Sequence, residues 1–110
     1  AGWATGSDRR TRQASRPRAV VAAADTMAYG VLAAAHRLGL AVPGDIAVAG
    51  FDDLPYSQVT APSLTSVALP AEELGRAAAQ RLAAVLAGDG DGAAAPLLPS
   101  RLAARASTGA

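Results

Sequence analysis

Two adjacent carboxylates, Asp52 and Asp53, are the residues best placed for chemistry or recognition. They follow a short run of small apolar residues in IAVAGFDDL (46–54). Successive side chains of an extended segment point to opposite sides. One carboxylate is therefore expected to face a ligand and the other to cap or brace the turn. An acid/base pair fits less well, because carboxylates that act on one bond face each other across it. His36 has no Cys, second His or suitably spaced acid to complete a metal site, so it reads as a surface histidine. Asp89 and Asp91 open like a calcium loop, but the later acidic ligands are missing and GDGDGAAA (88–95) reads as a linker. The serine-hydrolase elbow, the phosphate-binding loop and the dinucleotide fingerprint do not occur. No enzymatic activity, cofactor or metal is expected.

The elements that must position these residues follow from pattern. The apolar run ending at Asp52, bounded by Gly44-Asp45 and Pro55, reads as a strand buried on both faces, as in a parallel sheet. In open α/β sheets ligands bind beyond the carboxyl ends of strands. RAVVAAA (18–24) reads as a second such strand. Asp25 then reads as a helix N-cap. The helix 26–38 places Met27, Val31, Ala34, Ala35 and Leu38 on one face, and Gly39 ends it at C′. Strand, helix, strand over 18–51 is one βαβ unit. Residues 52–62 read as a loop with a helical turn at 55–58. LTSVAL (64–69) reads as a third extended piece. Pro70 opens a helix whose apolar stripe is Leu74, Ala78, Leu82, Val85 and Leu86, and Gly88 stops it. PLLPSRLAAR (96–105) reads as a last strand, and ASTGA (106–110) as a frayed end.

With 110 residues the chain is one domain at most. Hydrophobic residues make up 51% and aromatics 4%, so the core must be built from Ala, Val and Leu. Every basic residue except His36 is Arg. A formal net charge of +1 gives no global case for nucleic-acid or membrane binding. Arg9, Arg10, Arg12, Arg16 and Arg18 cluster without interleaved aromatics, which suits a solvated face better than a nucleic-acid surface. No cysteine is present, in keeping with a cytoplasmic protein. No apolar run reaches membrane-spanning length. AGWATGSDRR (1–10) has no apolar stretch and does not read as a signal peptide. The chain does not begin with Met, as expected of a fragment or a processed product.

Several stretches in one order resemble the effector-binding domain of LacI/GalR-type transcriptional regulators. They are Gly2-Trp3; AADTMAYG (23–30), beside the family's A-N-D-x-M-A-x-G; VPGDIAVAGFDD (42–53); PSLTSV (62–67) followed by PAEELG (70–75); and LPSRL (98–102). The resemblance covers nearly all the chain and is weakest over the first fifteen residues. It implies an α/β fold: part of a periplasmic-binding-protein type I-like lobe, with a short parallel sheet flanked by helices. Residues 1–68 and 96–110 would belong to the second lobe and 70–95 to the first. The helix-turn-helix that contacts operator DNA would lie outside these residues.

The function implied is sensing of a small molecule, sugar-like or related, with lobe closure controlling transcription in a homodimer. A transport-type solute-binding protein and a truncated remnant without function are the alternatives. By the same resemblance Asp52 is the principal ligand contact, since a carboxylate accepts strong hydrogen bonds from hydroxyls. Trp3 would stack on the ligand, and Phe51 would form cleft wall or core. Ala24 stands where the family has Asn, and Leu69 where Gln is common. Both departures remove hydrogen-bonding groups from the ligand site, which argues against a heavily hydroxylated sugar. Tyr29, Tyr56 and Val59 fall where members of the family pair as dimers.

Overall fold

A computed structural model of the chain describes residues 16–89 and 97–110. Four short strands form one sheet in the order β1-β2-β3-β4: β1 Ala19–Val21, β2 Ala47–Phe51, β3 Thr65–Ala68 and β4 Arg101–Ala103. The first three are parallel, with Val20 beside Val48 and Gly50 beside Ser66. The last is antiparallel to its neighbour, with Val67 beside Leu102. The helix α1, Asp25–Arg37, connects β1 to β2, and α2, Ala71–Leu86, lies between β3 and β4. The expected short parallel sheet with helices is thus present, completed by an antiparallel edge strand.

One face of β2 carries the core. Val48 and Gly50 are buried while Ala47 and Ala49 are half-buried, so one face of this strand is covered more fully than the other. Val48 packs with Ala22, Ala28 and Leu64, and Tyr29, Val31, Leu32 and Val42 close around them. The buried stripe of α1 is therefore Ala28, Val31, Leu32 and Ala35. Met27 is 62% exposed and Leu38 48% exposed. The expected stripe is rotated, because alanines let the helix approach the sheet closely while the bulkier Met27 and Leu38 turn outward.

Both helices end as the sequence predicts. Gly39 has φ +70 and Gly88 φ +85, the left-handed conformation that glycine adopts without a Cβ penalty. At each end the next two amides return to the last turn: Gly39 N–H to His36 O and Leu40 N–H to Ala35 O, Gly88 N–H to Val85 O and Asp89 N–H to Ala84 O. Pro55–Gln58 forms the expected turn, a 3-10 helix.

The C-terminal segment differs from expectation. Ala106–Thr108 is a 3-10 turn with Ser107 fully buried. Ser107 Oγ donates to Val48 O (2.6 Å) and accepts from Thr65 N–H (2.8 Å), tying two strands. Thr65 Oγ1 accepts from Arg105 N–H at 2.7 Å and lies 2.6 Å from Thr108 Oγ1. This end is a clasp under the sheet and not a fray. The stretch 90–96, with the expected linker and Asp91, lies outside the described residues, as do Trp3, Arg9, Arg10 and Arg12.

Candidate functional site

The parallel register brings the carboxyl ends of β1, β2 and β3 to one edge. Ala24 follows β1, Phe51 ends β2 with Asp52 just beyond it, and Leu69 follows β3, so four of the five expected ligand residues share that lip. Phe51 and Leu69 are each just over a third exposed. Asp52 is exposed, and its carboxylate makes no hydrogen bond or ion pair among the described residues.

The backbone that presents Asp52 is unusual. Asp52 has φ +114 and Asp53 φ +53, two consecutive non-glycine residues in a region that costs of order 1–3 kcal/mol each and persists only where surroundings enforce it. The enforcement is visible. Asp52 N–H donates to Val67 O (2.9 Å). Asp53 N–H donates to Ser66 Oγ (2.9 Å), and Leu54 N–H to Asp25 Oδ2 (2.8 Å). Asp53 Oδ1 is held at 2.6 Å by Arg105 Nη2, both side chains being largely buried. Arg105 Nη1 also donates to Leu64 O. The two carboxylates therefore divide as expected, with Asp53 as the brace and Asp52 unpartnered among the described residues, but the turn and Arg105 set the division, since neither residue is extended.

Asp25 corrects an expectation. The N-cap position is Ala24, and no side chain caps α1. Asp25 is fully buried and collects distant donors: Ser66 Oγ–H on Oδ1 (2.6 Å), with Ser57 Oγ–H (2.6 Å) and Leu54 N–H on Oδ2. Satisfied donors make burial of the carboxylate tolerable, and its charge suits the N-terminus of α1. Gly50 makes room for it: a Cβ there would overlap Asp25 Oδ1 and lie 3.2 Å from its Cα.

Beside this network lies an open depression of about 390 Å³, lined by Tyr29, Leu32, His36, Tyr56, Val59 and Thr60 among others. The Tyr29 and Tyr56 rings meet edge to face, 5.2 Å apart at 88°. Tyr56 is 61% and Val59 71% exposed. The three expected dimer residues thus line one depression, together with His36 and Thr60. Tyr29 OH lies 2.7 Å from Ser57 Oγ, so this surface touches the Asp25 network.

Sequence reasoning passed over Ser57, Ser66 and Arg105. Their partners are 32, 41 and 52 residues away respectively, and no local pattern marks them. Among the described residues, no group of three or more His, Asp or Glu side chains could hold a metal. Nor is any helix there long and apolar enough to cross a membrane.

A family model described as "Periplasmic binding protein-like domain" matches residues 1–108. The lactose operon repressor of Rhizobium radiobacter is 45% identical over 67 residues, 61% of this chain and 59% of its own length. The lac repressor dimer bound to operator and the anti-inducer ONPF superposes with a TM-score of 0.77 at 32% identity, covering 91% of this chain and 30% of that one. A sugar-binding LacI-family regulator from Escherichia coli, in complex with phosphate, gives 0.70 at 32%, covering 91% and 36%. These relatives are named as transcriptional regulators and not as enzymes, and the chain spans only part of each. By this family match and these likenesses, the chain belongs to the periplasmic-binding-protein-like domain family and is an effector-binding domain fragment of the LacI regulator type.

Proposed function

We infer that these 110 residues form the ligand-sensing portion of a regulator that acts on operator DNA through a domain outside them. The observation that carries this is the Asp52 carboxylate: unpartnered among the described residues, exposed at the carboxyl end of β2, and held there by a strained, heavily bonded turn. A carboxylate so presented accepts hydrogen bonds from a hydroxylated or amine-bearing small molecule. Ala24, Phe51 and Leu69 add apolar contact around it, which suits a ligand less polar than a fully hydroxylated sugar. The sugar-binding relative supports a sugar-like class in general terms.

In this reading 1–68 and 96–110 build one lobe and 70–95 belong to the other. Ligand held between the lobes closes them, and closure shifts the population of the DNA-binding state. Tyr29, Tyr56 and Val59 pair two copies, as a dimeric relative supports. The setting is cytoplasmic, and no catalysis is involved.

A thermal-shift screen with monosaccharides, nucleosides and amino sugars tests the ligand claim, because a ligand that binds only the folded state raises the melting temperature. A hit should lose its shift in Asp52→Ala, whose own melting temperature stays within a degree or two of the parent. A hit that stabilises both proteins equally would exclude Asp52 from the site. Sedimentation of the parent and of Tyr56→Ala tests pairing; equal masses would remove the groove from the interface.

A further inference from the structure

The Asp25 network has a direction, and the direction links two surfaces. Oδ1 and Oδ2 of Asp25 are acceptors, so the hydroxyl hydrogens of Ser66 and Ser57 are both committed to them. Each serine oxygen is then left as an acceptor. Ser66 Oγ takes Asp53 N–H, and Ser57 Oγ takes the Tyr29 phenol hydrogen. One bonded chain therefore runs from Tyr29 in the open groove, through Ser57, Asp25 and Ser66, to the amide of Asp53 beside the presented carboxylate. A branch from Asp25 reaches Leu54 N–H. These are amides of the turn that holds the two positive-φ residues. Bonds in such a chain polarise one another, so a change at one end alters the strength of bonds at the other.

We propose that Tyr29 and Asp25 are positioning residues for Asp52: the relay makes the tyrosine-lined groove and the ligand lip one bonded unit, so that docking of a second copy of this chain in the groove alters the geometry at the lip. By reciprocity, ligand at the lip alters docking in the groove. The proposal rests on the sensor reading for its purpose, but its physical content is the coupling between Tyr29 and the 52–54 turn.

Amide hydrogen exchange of the 110-residue chain, followed residue by residue by NMR, tests it without any ligand. The variants are Asp25→Asn, Ser57→Ala and Tyr29→Phe. Asp25→Asn turns one acceptor into a donor facing a serine. It should speed exchange of Asp53 and Leu54 about tenfold or more relative to the parent. Ser57→Ala cuts the relay between Tyr29 and Asp25 and should speed Leu54 about fivefold. Tyr29→Phe removes only the outer hydroxyl and should speed the turn amides about twofold. The Ala22 and Thr65 amides, bonded to Ala49 O and Ser107 Oγ, report general stability and should not move with Tyr29→Phe. If the turn amides of Tyr29→Phe and Ser57→Ala match the parent, or all amides accelerate together, the coupling is overturned. Should Asp25→Asn not fold, the two outer variants decide alone. Failure to find a ligand for Asp52 would leave these exchange rates unchanged, so the two readings fail separately.

Discussion

The carboxyl end of the sheet and the helix α2 are built on opposite principles. Around Asp25, Asp53 and Arg105 nearly every polar group is answered by one far away in sequence, and Val48 and Leu64 beneath are fully buried. Along α2 no residue is buried, and Leu74, Leu82, Val85 and Leu86 face solvent. Its support includes local terms: acidic residues in the first turn, a Glu72–Arg76 pair at 3.1 Å and a glycine stop. Exposed pairs of this kind contribute only about 0.3–0.5 kcal/mol. A helix of 16 residues without packing is marginal in water. The contrast teaches that local signals mark out a helix in the sequence, whereas long-range bonding fixes a site.

Substitutions can break or sharpen this contrast. The largest effect is expected from Leu64→Ala, which empties a fully buried position in the sheet and should cost about 2–5 kcal/mol by urea denaturation. Gly50→Ala forces a methyl into the Asp25 carboxylate and backbone and should cost about 1–3 kcal/mol. Ser107→Ala strands the Thr65 amide and frees Val48 O, at about 1–3 kcal/mol. Gly75→Ala meets nothing within 4 Å. It should favour the α2 helix by about 0.5–1 kcal/mol, seen as increased helical circular dichroism with an unmoved denaturation midpoint. Leu82→Ser, on the exposed face, should change stability by no more than about 0.5 kcal/mol. A large loss at Leu82 would show that α2 is packed against the body and would erase the contrast.

Legibility in the sequence follows the same division. The βαβ unit, the 3-10 turn after Pro55, both glycine stops and the carboxyl-end placement of Asp52 all rest on local signals, and the structure carries them. The split between a presented and a bracing carboxylate is expected from alternation, but the pair lies in a positive-φ turn past the strand, and Arg105 decides which one braces. The strand at 18–24 is shorter and more exposed than read, with Val21 80% exposed, and the last strand spans only Arg101–Ala103; three further readings failed for one reason, that their causes are non-local. Asp25 looks like a cap, but its donors come from 29 to 41 residues away. Met27 and Leu38 look like core because bulk dominates the apolar pattern, while close approach to the sheet selects Ala28 and Ala35. AST near the end looks like polar fray, yet its hydroxyls fill vacancies in strands made much earlier.

The clasp at Ser107 also bears on the order of assembly. Val48 and Thr65 leave the ribosome well before the hydroxyl that joins them, and Arg105, which restrains Asp53, is almost as late. During synthesis those polar groups therefore stay hydrated, and Asp53 lacks its Arg105 partner, until residues 105–107 emerge.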